Sequence, residues 1–234
     1  MDRQRQPMKK LLINGGKLLL AGAILTSFTN RVNAAAKLSL FDGVNPLITI
    51  VDNGPGDMFG ATGAILVATN VGVWNLTISS AITKPLFGSS TDPVMDLGIT
   101  ASSTAAGSLR FVFSDNDFGP ASGTLEAVVD GQVNGAPATV TYDVYGDPAN
   151  VVGATTFHIA STGTSPLPTS ATGSGTLALG APYSLTQVDE FFASGPTTIN
   201  SDASFKVIPE PGVMGLGALG LVVFALGRSQ RRQA

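Results

Sequence analysis

The sequence predicts an all-β protein whose main part is a single antiparallel β-sandwich or jelly-roll-like domain. Apolar and polar residues alternate in about a dozen short runs, which is the period of a strand with one buried face. Turn-forming residues separate these runs, and the chain contains 28 Gly and 14 Pro. No convincing long amphipathic helix competes with them. Short strands at this spacing are typical of sandwiches and jelly rolls.

The predicted strands fill the chain between residues 37 and 207. In one of the clearest runs, Trp74, Leu76 and Ile78 share a face, because side chains alternate across a strand. In order, the predicted strands are 38–41, 47–51, 64–68, 73–78, 97–100, 108–113, 124–129, 139–145, 155–160, 175–179, 183–188 and 198–206.

Two segments need separate interpretation. Residues 184–192 combine a strand-like alternation with a helix-like alternative, in which Ser184 and Gln187 form a capping box. Residues 161–175 consist of Ser, Thr, Gly, Pro and Ala, a composition that predicts a long surface loop. The chain after that loop is too short to fold alone, so we predict one domain over residues 35–206.

Charge is distributed unevenly along the 234 residues. The whole chain has a formal net charge of −3, but residues 35–208 contain only four basic residues against 14 acidic ones, a balance near −10. Such an acidic body excludes a nucleic-acid partner. The chain has no cysteine, so disulfides cannot stabilise it.

The N-terminal 34 residues have the pattern of a secretory signal peptide. Five basic residues precede an apolar run at 18–25, and small residues follow it. We predict cleavage by signal peptidase after Ala34, or beside Ala35, once the secretion machinery has exported the chain. The alternative is an uncleaved anchor, but the run is shorter than the ~20 residues of a spanning helix.

The C-terminal residues 207–234 contain three successive signals. Pro209, Glu210 and Pro211 come first, and an uncharged apolar segment follows at 212–227, which we predict to be a transmembrane helix. The basic tail at 228–234 then acts as a membrane stop that stays in the cytoplasm. Its basic residues are Arg228, Arg231 and Arg232.

This order of parts at the extreme C-terminus resembles the PEP-CTERM sorting signal of exported bacterial proteins. The resemblance implies a Gram-negative producer of exopolysaccharide or biofilm matrix. It also implies a precursor held in the inner membrane with its body facing the periplasm, processed by an exosortase and released to the cell surface or extracellular matrix. A segment like 183–187 is common near the end of such passengers, which favours the strand over the helix there.

Few residues suggest catalysis. Nucleophile-and-base hydrolysis needs a histidine, a thiolate or a comparable group, and the only histidine, His158, is predicted to face solvent from a strand. Two acidic loops are candidates for calcium, which binds several oxygen ligands. One contains Asp115 and Asp117, and the other contains Asp52 and Asp57. The alternative for both is an ordinary hairpin turn. No other cofactor is predicted.

Three classes of function remain, of which the first is favoured. It is a non-catalytic surface or matrix protein, not an enzyme. The second is a polysaccharide-binding module that uses exposed aromatic residues, with Trp74, Tyr145 and Tyr183 as candidates, although Trp74 fits the core better. The third is an enzyme that cleaves matrix polysaccharide through a pair of carboxylates.

Overall fold

A computed structural model of the chain describes residues 36–209, apart from the side chains at positions 77, 78 and 209. Within these residues the chain forms twelve strands and no helix. The strands are β1 (Lys37–Phe41), β2 (Ile48–Val51), β3 (Ala64–Val71), β4 (Trp74–Ile82), β5 (Val94–Ser103), β6 (Gly107–Phe118), β7 (Ala121–Gly135), β8 (Ala138–Asp147), β9 (Phe157–Pro166), β10 (Thr169–Leu179), β11 (Tyr183–Ala193) and β12 (Thr197–Pro209).

The strands form two six-stranded antiparallel sheets that enclose one apolar core. Sheet A has the order β2-β1-β6-β11-β8-β9, and sheet B has the order β10-β7-β12-β5-β4-β3. In β5 the alternation is strict, because Met95, Leu97 and Ile99 are buried while the residues between them are partly exposed. The predicted antiparallel sandwich is therefore confirmed, and so is the strand at 183–188, which extends to Ala193.

The predicted loop at 161–175 is wrong, because this segment belongs to β9 and β10. These two strands are the adjacent edges of the two sheets, and their residues are small. A Cβ atom at Gly175 would lie 1.6 Å from the Ile159 carbonyl oxygen, and one at Gly173 would lie 2.1 Å from that of Ser161. The glycines thus let the two backbones approach closely. The small residues that predicted a loop instead form two edge strands that close one side of the sandwich.

The antiparallel connections divide the domain into two ends. The loop end contains the connections 52–63, 83–93, 119–120, 148–156 and 180–182, while the opposite end contains 42–47, 72–73, 104–106, 136–137, 167–168 and 194–196. Both Ala36 and Pro209 lie at the loop end, because β1 starts there and β12 finishes there. Strand β12 continues past Lys206, where the sequence placed the domain boundary, and Val207 is buried in the core.

Several predictions concern residues outside the described range. They are the signal peptide with its cleavage site at Ala34 and Ala35, Glu210 and Pro211 of the sorting motif, the apolar segment 212–227 and the basic tail. Between residues 36 and 209, no helix is long and apolar enough to cross a membrane.

Candidate functional site

Two of the three candidate aromatic residues belong to the core. Trp74 is fully buried, and its indole Nε1 donates a hydrogen bond of 2.8 Å to the Ser108 carbonyl oxygen. Tyr183 is also buried, and its ring stacks on Phe118 with 5.8 Å between centroids. Only Tyr145 lies partly exposed on the outer face of sheet A. Of the three, it is the one that an external ligand can reach.

Tyr145 contributes to a groove on that outer face with a volume of about 370 Å³. The strand register explains why polar groups from distant parts of the chain meet there. Glu190 in β11 pairs with Arg110 in β6, and Val188 pairs with Asp143 in β8. We call this surface the sheet A groove and define it by Phe41, Arg110, Asp143, Tyr145, Val188 and Glu190.

The charges in the sheet A groove are arranged around the Tyr145 side chain. Burial, followed by the negative charge of Asp143, raises the Tyr145 pKa, while Arg110 acts in the opposite direction. His158 lies beside the ring, with 5.2 Å between centroids in an edge-to-face arrangement, and its Nε2 is 3.1 Å from the Asp143 carboxylate. His158 is half exposed, which confirms its predicted orientation. An aromatic ring thus lies among hydrogen-bond donors and acceptors.

The loop at 148–156 packs on the same face, towards the loop end. The Ser184 hydroxyl donates to the Val151 carbonyl oxygen at 2.8 Å, and the Gly153 amide donates to the Ser114 hydroxyl at 2.8 Å. Lys37 Nζ donates to the Val152 carbonyl oxygen at 3.3 Å. These bonds fix the loop over one end of sheet A and leave the groove open at the other end.

Sheet B has a second groove on its own outer face, with a volume of about 470 Å³. We call it the sheet B groove; its polar side chains include Asp96, Thr100, Asp130, Gln132, Asn200 and Asp202. Asp202 lies opposite Asp130 in the register. Burial, followed by repulsion and hydrogen bonding from Asp202, raises the pKa of Asp96 to about 6. Among residues 36–209, no aromatic or basic side chain lines this groove.

In the first predicted calcium loop, both carboxylates already accept hydrogen bonds from backbone amides. Asp52 accepts a hydrogen bond of 2.7 Å from the Gly63 amide. Asp57 accepts from the amides of Asn53, Phe59 and Leu66 at 2.9 to 3.0 Å. Both carboxylates therefore hold the connection 52–63 in shape.

The second predicted calcium loop lies within β6 rather than after it. Asp115 is fully buried and pairs with Lys84, while Asp117 accepts a bond of 2.7 Å from the Asn150 side chain. In the part of the chain that the structure describes, no three acidic or histidine side chains are grouped so as to hold a metal ion. Calcium binding by these four aspartates stays a prediction.

The core contains a polar cluster that the sequence did not reveal. The Tyr142 hydroxyl donates to Gln187 Oε1 at 2.9 Å, and Asp189 lies opposite Tyr142 in the register. Both Asp189 oxygens and the Gln187 Nε2 are buried without a hydrogen-bond partner. Burial, followed by the charges of Asp202 and Asp143, raises the Asp189 pKa well above its usual value. The interior of the fold therefore disfavours the charged form of Asp189.

Both grooves depend on pairings between strands that are far apart in sequence. The alternation within β6 and β8 places Arg110 and Asp143 on the outer face, but only the strand register brings them near Glu190. For Asp96 and Asp202, a signal existed in the two acidic outward positions of the strands β5 and β12, although the pairing of these strands was not predictable from it.

No family model matches the chain, and no curated protein matches it. Among solved structures, the chain resembles TmCBM61 in complex with β-1,4-galactotriose, with 8% identity, a TM-score of 0.30 and coverage of 56% of this chain and 88% of that one. It also resembles a xylan-binding domain from CBM 22, with 9% identity, a TM-score of 0.30 and coverage of 66% and 96%.

A third similar structure is the enzymatically active domain of tailspike protein 4 from bacteriophage CBA120, with 12% identity and a TM-score of 0.29. The alignment covers 59% of this chain and 20% of the tailspike chain, so this protein spans a fifth of that length. Similarity at these TM-scores does not indicate a shared ligand or activity.

Proposed function

We propose that residues 36–209 form a non-catalytic polysaccharide-binding domain and that the sheet A groove is its binding site. The observation that supports this is the position of the Tyr145 ring beside Arg110, Asp143 and Glu190 on an open sheet face. A sugar ring has an apolar face that packs on an aromatic ring and hydroxyl groups that bond to charged side chains. The groove volume lies in the range of about 300–1,000 Å³ that is typical of ligand clefts.

The terminal segments support a proposal about where the domain acts. We propose that signal peptidase removes residues 1–34 and that the segment 212–227 holds the precursor in the inner membrane until an exosortase processes it. The domain then binds exopolysaccharide in the extracellular matrix. Support comes from the motif at Pro209, Glu210 and Pro211, together with the apolar segment and the arginines that follow it.

Retention of a 35–209 fragment in gels that contain matrix polysaccharides tests the binding site. We expect Tyr145→Ala to weaken retention at least about tenfold, because the aromatic contact is lost. Gln132→Ala in the sheet B groove is the matched control and should leave retention unchanged. Equal retention by the Tyr145 variant and the unchanged protein would contradict the proposal.

Sorting has a separate test, which is the intact mass of the protein recovered from the producing cells. We expect a chain that has lost both ends. Recovery mainly of a membrane-bound chain that still ends in the basic tail with Arg231 and Arg232 would contradict processing.

Two carboxylates in the sheet B groove are the candidate catalytic residues of the alternative function, an enzyme that cleaves matrix polysaccharide. Asp96, with its pKa raised to about 6, lies close to Asp202 and can hold a proton. General acid catalysis on a glycosidic bond uses such a pair of carboxylates. Release of reducing sugar ends by the fragment, and its loss in Asp96→Asn, would favour this alternative over a non-catalytic domain.

A further inference from the structure

A buried ion pair connects the two sheets near the loop end. Lys84 lies two residues after the end of β4 in sheet B, and Asp115 belongs to β6 in sheet A. Their Nζ and Oδ2 atoms are 2.7 Å apart, and their side chains are 5% and 0% exposed. A lysine this deeply buried is rare, because removing an ammonium group from water is costly.

The surroundings of the pair exclude water. Lys84 Nζ lies 4.2 Å from the centroid of the Phe118 ring and also donates to the Asn116 carbonyl oxygen. Gly63 packs over the Lys84 backbone, where a Cβ atom would lie 2.5 Å from the Lys84 carbonyl oxygen. The φ angle of Gly63 is +91°, which also favours glycine. The amine and the carboxyl group are therefore held together in a dry site.

A dry site changes the chemistry that this pair can undergo. Both side chains are buried, which disfavours the charged forms of both groups. One proton transfer across the 2.7 Å contact converts the ion pair into a neutral amine and a carboxylic acid. The amine then has a free lone pair next to the carboxyl carbon. Fixed contact of this kind corresponds to an effective concentration of about 10⁵–10⁸ M, and the dry surroundings favour loss of water.

The hydrogen bonds at Asp115 suit attack on its carbonyl carbon. Oδ1 accepts a bond of 2.8 Å from the Asn116 backbone amide, which stabilises the negative charge that develops on this oxygen. Oδ2 accepts bonds from Lys84 Nζ at 2.7 Å and from the Thr83 hydroxyl at 3.0 Å. One oxygen is thus placed to carry charge, and the other is placed to receive protons and depart.

We propose that Lys84 and Asp115 condense to form an intramolecular isopeptide bond that joins sheet A to sheet B. The lysine transfers one proton to Oδ2, and its Nζ lone pair then attacks Cγ. The bond between Cγ and Oδ2 breaks while a second proton passes from Nζ to Oδ2, relayed by the Thr83 hydroxyl. The products are one amide and one water molecule, with no oxidation or reduction.

Such a bond performs the role of a disulfide in a chain that has no cysteine. It closes a loop between positions 31 residues apart in sequence, and it therefore restricts the unfolded chain. It also ties the end of β4 to β6, which no backbone pairing connects within the described sheets. The inference is independent of the sugar-binding proposal.

Tryptic mapping of the denatured full chain tests the proposal directly. Trypsin cuts after Lys37, Arg110 and Lys206, while the bond before Pro85 resists it, so digestion separates Lys84 from Asp115. We expect peptides 38–110 and 111–206 to remain joined, with a mass lower than their sum by one water. Recovery of the two peptides separately, each at its full mass, would overturn the proposal.

Two variants and an internal control make this test specific. Lys84→Arg keeps the positive charge but removes the amine, so the peptides should separate. Thr83→Val should lower the linked fraction, and an unchanged fraction would exclude the relay. The exposed pair of Lys206 and Glu126, 3.0 Å apart, should stay unlinked in the same digest. A covalent link between Lys206 and Glu126 would show that contact alone is enough for condensation. It would contradict the role of burial at Lys84 and Asp115. The unchanged chain decides the main question even if Lys84→Arg fails to fold.

Discussion

The two sheets differ in where their acidic residues lie. Sheet B has an apolar inner face and displays Asp96, Asp130 and Asp202 on its outer groove. Sheet A instead turns Asp189 into the core, and its outer groove combines acidic, basic and aromatic side chains. The difference shows that similar alternating strands can build either an outer groove whose charged residues are all acidic or one that mixes acidic, basic and aromatic side chains.

The contact of β9 with β10 joins the edges of the two sheets, so a larger side chain at this contact should weaken the sandwich most. Gly175→Ala should destabilise the domain by about 3 kcal/mol, because the new Cβ atom meets the Ile159 carbonyl oxygen. Urea unfolding measures this loss. Gly180→Ala, with no atom within 4 Å of the new Cβ, is the control. Equal losses in both variants would contradict the role of the close backbone contact.

The buried acid of sheet A should weaken the fold as pH rises. The Asp189 pKa is raised in the folded chain, so folding retains a proton that the unfolded chain releases above about pH 4. Stability should therefore fall with increasing pH. Asp189→Leu should raise the free energy of unfolding at pH 7 by about 1–3 kcal/mol and remove much of this pH dependence.

Denaturant unfolding at several pH values measures the effect of Asp189. The control is Asp92→Leu at an exposed loop position, which should change stability little. A loss of stability in Asp189→Leu at every pH would show that Asp189 has a partner in the core.

Two carboxylate variants, one in each groove, show which of the two grooves binds polysaccharide. Glu190→Gln in the sheet A groove should weaken polysaccharide retention about tenfold, because a charged acceptor becomes a neutral one. Asp202→Asn in the sheet B groove should not weaken it. The opposite result, with retention lost only in Asp202→Asn, would move the binding site to sheet B.

The contribution of Asp96 to stability, on the outer face of sheet B, should change over a narrower pH range. Because the folded pKa of Asp96 is about 6, stability should fall as pH rises from about 4 to 6. Asp96→Asn should gain about 1 kcal/mol at pH 7, after solvent screening is allowed for, and nothing at pH 4. Asp202→Asn should give a similar gain, and the double variant should give less than the sum. Additive gains would show that the two carboxylates are independent.

Calcium should have the smallest effect. Asp52, Asp57, Asp115 and Asp117 already bond to amide or ammonium groups, so we expect the same melting temperature with and without a chelator. A higher melting temperature in calcium would instead restore these loops as metal sites.

The sequence predicted the architecture because strand alternation is a local property. It correctly indicated both the strand at 183–188 and the outward orientation of His158. It failed at 161–175, because strands built from Gly, Ser and Thr show no hydrophobic alternation and depend on close contact with another backbone.

The candidate sites were less predictable than the fold. Tyr145 was identified from its aromatic character alone, whereas its neighbours Arg110 and Glu190 come from strands that pair far apart in sequence. The contact of Lys84 with Asp115 was not predictable either, because it joins residues from different sheets that meet only in the folded chain. Asp115 was predicted as a candidate calcium ligand because it lies two positions from Asp117 in an acidic segment, and nothing in that segment indicated its contact with Lys84.

The position of β12 also determines how the domain responds to mechanical force. This strand lies in the middle of sheet B and pairs with β7 along its whole length and with β5 over most of it. A pull on Pro209 along the direction of β12 acts along the strand axis. The hydrogen bonds on both of its sides then share the load in shear and do not open one after another. The strand therefore anchors the domain against being pulled apart through its C-terminal connection.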